Sequence, residues 1–332
     1  MGSKIKYIDL FCGMGGLRLA LPSDKTECVF SCDINEHAQD IYELNYKERP
    51  YGDITKIKNE EIPEHDLLIG GFPCQAFSVA GLQKGFEDTR GTLFFEVARV
   101  IKYHKPKAFL LENVHNLIRH DKGKTLFVIL KTLDELGYNV EYRVLSANDF
   151  GLPQSRERIA IVGVIKPLVF DFSKIKMKKA ENLEYFLEEK GEKYIDPLTY
   201  TLLPKEMIKK TKNGLIFCGY RNKNMRKNGV SSGGANISRN HRQCNRIYSI
   251  YGYHPTITSQ ETSGRYFIED KYGVRQLTIK ECLKLMGFPD NYLLSGSKSK
   301  QFERIGNSVC VPVFASVINE ILSQIFKINN NV

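Results

Sequence analysis

The first third of the chain alternates short apolar runs with segments of helical spacing, and that alternation limits the folds open to it. Residues 5–11 read as a buried strand, Gly13-Met14-Gly15-Gly16 as the turn after it, and residues 17–21 as the start of a helix. A second strand over 27–32 ends at Asp33 and is followed by a helix over 35–45. Further apolar strands fall at 66–70 and 108–112, with helical spacing over 93–103 between them. Such βα repetition predicts a parallel, doubly wound α/β sheet, with ligands at the C-terminal ends of its strands. Gly13, Asp33, Gly70-Gly71 and Glu112 all stand at such ends. Residues 142–145 and 159–164 add two strands. The stretch from 170 to 275 is polar and short of long apolar runs, as expected of a smaller, loop-rich domain. Strand candidates within it are 214–218 and 265–268. Beyond it come a helix over 277–286, a linker over 295–300 and a final amphipathic helix over 312–326.

The residues at those strand ends carry chemistry. In Gly70-Gly71-Phe72-Pro73-Cys74-Gln75 a cysteine directly follows a proline of fixed backbone angle, and two glycines before it permit close approach of a ligand. No second cysteine follows at CxxC spacing, so a presented nucleophilic thiol fits better than a metal knuckle or a redox pair; a buried, inert thiol is the plainer alternative. The eight cysteines are scattered without zinc spacing, which suits a reducing compartment and predicts no metal. The glycine turn departs from the dinucleotide pattern GxGxxG because Arg18 stands at the third glycine. Asp33 is placed to hold ribose hydroxyls, and Asp53 to accept from an adenine amino group. Together they point to a nucleoside ligand that needs no pyrophosphate.

Glu112-Asn113-Val114 and Gln154-Ser155-Arg156-Glu157-Arg158 follow in order, and Gly306-Asn307-Ser308-Val309 closes the series. With these motifs the chain resembles the cytosine-5 DNA methyltransferases of bacterial restriction-modification systems, over nearly everything outside 170–265. The resemblance implies a Rossmann-like S-adenosylmethionine-dependent methyltransferase domain (1–170 with 300–332), a target-recognition domain (171–275) and a hinge (276–299). It implies methyl transfer to carbon 5 of a cytosine flipped out of duplex DNA, with S-adenosylhomocysteine as product. Carbon 5 is a poor nucleophile until a thiolate adds at carbon 6. Cys74 matches that nucleophile, and Glu112, protonated by burial, the group that meets ring nitrogen 3. Arg158 would hold the carbonyl oxygen at position 2, with Arg156 supporting it or a nearby phosphate. Phe11, Gly13, Met14, Gly15, Gly16, Asp33, Ile34, Asp53, Ile54, Pro73, Asn307 and Ser308 match the cofactor pocket. Ile34 stands where the family often has an aromatic residue, which weakens adenine stacking there. Cys12 stands where alanine is common and reads as a small buried residue. Ser78, Gln83 and Arg90 lie in or beside the segment matching the mobile loop that closes over DNA, and Thr256 matches the threonine that ends the recognition region.

Charge supports the same partner. Between Lys205 and Arg246 lie eleven basic residues and one acidic residue, Glu206, so this segment alone accounts for the net charge of +10. A neutral body with one basic segment predicts a polyanion-binding face. Arg221, Arg226, Arg239, Arg242 and Arg246 are candidates for guanine, and Asn222, Asn224, Asn236 and Gln243 for adenine. Double-stranded DNA is the expected partner of a cytoplasmic, nucleoid-associated monomer, with a separately encoded endonuclease as a further partner. No run of about 18 apolar residues suggests a membrane span. An RNA cytosine methyltransferase on the same scaffold, a catalytically silent DNA-binding regulator and a dinucleotide-dependent oxidoreductase remain as alternatives. Taken singly, Glu112 could merely cap Asn113, and Arg156 or Arg158 could form a surface ion pair with Glu157.

Overall fold

The structure is a computed structural model that describes residues 3–73, 93–222, 243–259 and 267–328. The chain divides into two compact units: Met1–Leu145, Glu157–Lys176 and Val311–Val332 in the first, and Ser146–Arg156 with Met177–Cys310 in the second.

The first unit is built on strands β1 (Ile5–Leu10), β2 (Thr26–Cys32), β3 (Leu67–Gly71), β4 (Ala108–Val114), β5 (Tyr138–Ser146) and β7 (Glu157–Ile165), in the order β2-β1-β3-β4-β7-β5. The pairs β2/β1, β1/β3 and β3/β4 are parallel, and β7 returns antiparallel to β4. Helices α1 (Gly16–Leu19), α2 (Glu36–Tyr46), α3 (Leu93–His104), α4 (Lys124–Glu135) and α7 (Val311–Phe326) surround this sheet. Alternation along each strand divides the side chains between two faces. Ile8, Leu10, Leu68, Phe109, Leu111, Ile159 and Ile161 pack with α3 residues Phe94, Val97 and Ile101 and with α4 residues Ile129 and Leu133. Helix α7 contributes eight buried residues, Val311 to Ile325. The doubly wound α/β expectation holds.

Asn35 caps α2 by accepting from the Ala38 N–H, so the helix begins where a short polar side chain can satisfy an orphan donor. The first helix is shorter than expected and stops at Leu19, before Pro22.

In the second unit five strands form a sheet in the order β13-β12-β10-β9-β8: β8 (Tyr200–Leu202), β9 (Phe217–Arg221), β10 (Arg246–Ser249), β12 (Phe267–Asp270) and β13 (Gly273–Gln276). Its small core is Cys218, Ile247, Phe267 and Val274. A separate two-stranded parallel ladder joins β6 (Gln154–Ser155) to β11 (His254–Pro255). Helix α5 (Ile279–Met286) starts at a capping box formed by Thr278 and Glu281. Arg275, fully buried, pairs with both oxygens of Glu281 at 2.8 Å and with Asp270 at 2.6 Å, tying the β12–β13 hairpin to α5. Helix α6 (Lys298–Asn307) begins at the cap Ser297, inside the stretch expected as a linker. The hinge expected over 276–299 thus carries α5 and groups with the second unit, as do residues 146–156.

Candidate active site

Strand register brings together two of the candidate catalytic residues of the first unit. In the antiparallel β4/β7 pair Glu112 faces Ala160, and Val114 faces Arg158. Glu112 and Arg158 are therefore diagonal neighbours on one face. Their side chains meet, with Arg158 Nε 3.0 Å from Glu112 Oε1 and about one-sixth of each side chain exposed (16% and 14%). The surface-pair alternative for Arg158 does not hold, because Glu157 pairs instead with His115 at 2.8 Å. A guanidinium touches the Glu112 carboxyl, so a charge as well as burial acts on it.

Strand β3 supplies the third side of the cluster. Gly71 pairs with Glu112, and a Cβ added at Gly71 would stand 3.1 Å from Glu112 Oε2. A Cβ at Gly70 would meet the Leu10 carbonyl at 2.9 Å. The two glycines thus leave room for the carboxyl and for close packing of β3 on β1. Asn113, only 3% exposed, donates from Nδ2 to the Phe72 carbonyl at 2.8 Å, while its Oδ1 accepts from the Val114 N–H. This anchor, two residues before Cys74, is not expected from the motif; an Asn directly after the candidate catalytic Glu112 is its only signal in the sequence. Cys74, Ser78, Gln83 and Arg90 lie outside the described residues. All seven described cysteines are free thiols. Burial pushes Cys28 up to about 11 and Cys32 up to about 12, and raises Cys12 and Cys218 well above the ordinary thiol value. Those four thiols are not thiolates at neutral pH.

The glycine turn lies at the end of β1. Phe11 has a φ of 56°, rare for a non-glycine residue, and Gly13 and Gly15 follow at 55° and 83°. A Cβ at Gly15 would collide with the Tyr46 ring at 2.2 Å, and the Tyr46 hydroxyl donates to the Gly15 carbonyl at 2.8 Å. Around Gly13 there is open space. Asp33 pins the turn: Oδ2 accepts from the Gly13 N–H at 2.9 Å and Oδ1 from the Asn35 N–H at 2.8 Å. Met14 and Gly16 are buried beneath the turn, and Pro73 is exposed. Ile34 is exposed (72%), whereas Ile54 lies in the core at 2%. Asp53 Oδ1 accepts from both the backbone N–H and the hydroxyl of Thr55, and these bonds hold its carboxyl below the ordinary value. Asp9, fully buried on β1, has neither carboxylate oxygen bonded among the described residues, and burial raises it well above the ordinary value.

Arg156 proves to be a different kind of residue from Arg158. It is 2% exposed and belongs to the second unit, where Nη1 donates to the Ile257 carbonyl at 2.7 Å and Nη2 to those of Gly306 and Ser308 at 3.1 and 2.5 Å. Its expected hold on the base or a phosphate is therefore replaced by a hold on the backbone around Asn307 and Ser308. Gln154 works beside it, fully buried, accepting from the Ile257 N–H and donating to the Leu285 carbonyl. The Thr256 hydroxyl donates to the Ser155 carbonyl at 2.5 Å. Asn307, exposed, ends α6, and Ser308 is its C-cap.

Of the base-reading candidates, Arg221 stands on β9 with its guanidinium 5.0 Å from the Phe267 ring centre, and Arg246 opens β10. Asn222 accepts from the Thr201 hydroxyl at 2.7 Å, so that acceptor is already engaged. Arg226, Arg239, Arg242, Asn224 and Asn236 lie outside the described residues, as does the side chain of Gln243.

The family model of the C-5 cytosine-specific DNA methylases matches residues 5–323. The type II methyltransferase M1.ScrFI of Lactococcus lactis subsp. cremoris is 40% identical over 331 residues, covering 98% of this chain and 80% of that protein. The type II methyltransferase M.HhaI of Haemophilus parahaemolyticus is 38% identical over 332 residues, covering 97% of this chain and 95% of that protein. Among solved structures, the Dnmt2 methyltransferase of S. pombe superposes with a TM-score of 0.70 at 19% identity, covering 98% of this chain and 100% of that one. A putative DNA modification methyltransferase encoded within an E. coli prophage gives 0.68 at 22% identity, covering 98% and 100%. At those identities the two structures share the fold.

Proposed function

The chain belongs to the C-5 cytosine-specific DNA methylase family, a sequence-specific DNA (cytosine-5-)-methyltransferase, and from that premise we propose how its own residues divide the reaction. The observation that carries the proposal is the Glu112–Arg158 pair beside the glycine exit of β3, two steps from Pro73-Cys74.

Cys74 is the nucleophile. Its thiolate bonds to carbon 6 of the cytosine and shifts electron density to carbon 5 and toward nitrogen 3. Glu112 meets nitrogen 3, and Arg158, its ion-pair partner, turns a guanidinium N–H toward the carbonyl oxygen at position 2. Glu112 gives a proton to nitrogen 3 as the thiolate adds, and Arg158 pairs with the carboxylate that remains. Loss of the carbon-5 proton to water, departure of Cys74 with the carbon-6–sulfur electron pair and return of the nitrogen-3 proton to Glu112 then restore the aromatic ring. Asn113 is a positioning residue, holding the Phe72 carbonyl so that the chain leaves β3 in one direction.

The glycine turn fits S-adenosylmethionine, which when bound supplies the methyl group. Phe11 and Gly13 hold backbone angles that open the turn, and Gly13 has no atom within 4 Å of where a Cβ would be. Asp33 holds the turn closed around a nucleoside, and Asp53 Oδ2, unbonded among the described residues, is free to accept from an adenine amino group. The buried backbone held by Arg156 presents Asn307 and Ser308 as further cofactor residues. Thr256, Arg221, Arg246 and the basic segment take the duplex, with Ser78, Gln83 and Arg90 on the loop after Cys74. A separately encoded endonuclease with the same target site would complete a restriction-modification pair.

The test is single-base mapping of 5-methylcytosine in plasmid DNA from cells expressing the chain, beside a Cys74→Ala control. Methylation at one recurring short motif, absent from the control, is the expected result. Unmodified DNA from folded, expressed protein would overturn the reading.

A further inference from the structure

We propose that Tyr51 is the aromatic platform on which the adenine of the cofactor rests. The proposal deepens the cofactor reading of the glycine turn and Asp33 and rests on it.

The backbone of Tyr51 is attached to the outer edge of β2. Its N–H donates to the Ser31 carbonyl at 2.8 Å, and its carbonyl accepts from the Asp33 N–H at 2.9 Å, which makes a parallel bridge opposite Cys32. The same Asp33 pins the glycine turn through its carboxylate. Tyr51 is thus fixed to the residue that would hold the ribose, and it stands two positions before Asp53, the acceptor for an adenine amino group. Gly52 between them has no atom within 4 Å of where a Cβ would be, so the backbone there is open to a ligand.

The ring is held as well as the backbone. It stacks on Phe30, with centroids 4.8 Å apart and planes within 17°. Phe30 is a core residue, 3% exposed, whereas Tyr51 is 58% exposed. A large aromatic ring supported from the core on one side and wet on the rest is costly to leave bare and costs little entropy to use. Purine bases bind such surfaces readily, since every base has a π-face. Ile34, the exposed residue directly after Asp33, is apolar but has no such face. Tyr51 supplies from the neighbouring edge the aromatic contact that position 34 does not.

The chain contains no tryptophan, which makes the test clean. Calorimetric titration of the parent with S-adenosylhomocysteine comes first; absence of binding would overturn the cofactor reading and this inference with it. Given binding, Tyr51→Phe should keep the dissociation constant within about twofold. Tyr51→Leu, which still covers Phe30 but has no π-face, should raise it about tenfold, and in turnover its loss should fall on KM for S-adenosylmethionine. In Tyr51→Trp the only indole of the protein should be quenched on titration with S-adenosylhomocysteine, a signal that a merely structural role would not produce. With the parent binding normally, either parent-like affinity of the Leu variant or an indole silent at saturation would overturn the proposal while leaving the cofactor reading intact.

Discussion

Arg156 and Arg158 stand two positions apart in one motif and do unrelated work. Arg158 reaches one carboxylate at the end of β4, whereas Arg156 donates to three backbone carbonyls in the interior of the second unit. Truncating Arg156 strands those carbonyls, each worth about 1–3 kcal/mol when buried and unpaired. Arg156→Ala should therefore lower the unfolding free energy by about 3 kcal/mol or more in urea titrations. Arg158→Ala should cost less stability, because it strands one group rather than three, yet slow methylation by about a hundredfold or more. Equal destabilisation by the two changes would refute this division. Asp9 poses the opposite problem, a buried carboxyl with no partner among the described residues. Burial raises its folded-state value far above that of the unfolded chain. Below about pH 4 both states hold the proton, and no difference arises. Above that, only the folded state keeps it, so stability is lost by about 1.4 kcal/mol for each further pH unit until the folded value is passed. Asp9→Asn removes that loss: its advantage over the parent should grow between pH 5 and pH 7 and vanish near pH 4. A constant difference across that range would show that Asp9 does not fold as the neutral acid.

Most strands of the first unit are legible as short apolar runs, whereas β5 is legible only over 142–145, because Asn139 and Glu141 interrupt its first half. Residues 108–112 and 159–164 predict β4 and β7 within two residues of their ends. Their antiparallel pairing was not legible, because nothing local distinguishes a strand that returns from one that continues, and it is this pairing that brings Arg158 to Glu112. Helix α4 lies between two motifs where no helix is expected, and the linker expected over 295–300 overlaps only the first turn of α6. In Lys298–Asn307 only Phe302 and Ile305 are buried large apolar residues, too few to signal a helical period. Glu112 is legible as the candidate catalytic carboxyl, but the space made for it is not. Gly71 looks like a flexible strand exit, yet its role is the missing side chain beside Glu112 Oε2. Gly71→Ala should leave stability unchanged or raise it by about 0.5 kcal/mol, as loss of glycine freedom usually does in extended backbone. The same change should cut the methylation rate about tenfold by crowding the carboxyl. A fully active alanine variant would show that Glu112 does not work from this position.

At the scale of the whole molecule, sequence and charge agree about the partner but divide the work unevenly. The net charge of +10 resides between Lys205 and Arg246, while Glu112 and Arg158 belong to the other unit. Affinity for the duplex and chemistry on the base are therefore separable. Lys209, Lys210 and Lys212 lie before β9 in a stretch that is mostly exposed, where phosphate contact requires charge rather than shape. Each phosphate neutralised contributes about 0.9 to the slope of log affinity against log salt. Changing the three lysines together to glutamine should reduce that slope by between about 1 and 3, depending on how many of them meet phosphate. The methylated sequence, read by mapping at low salt, should remain the same, because phosphate contacts set register and not base identity. A slope unchanged by the triple substitution would move the duplex to another part of the basic segment. A changed methylation motif would make at least one of these lysines a reader of bases.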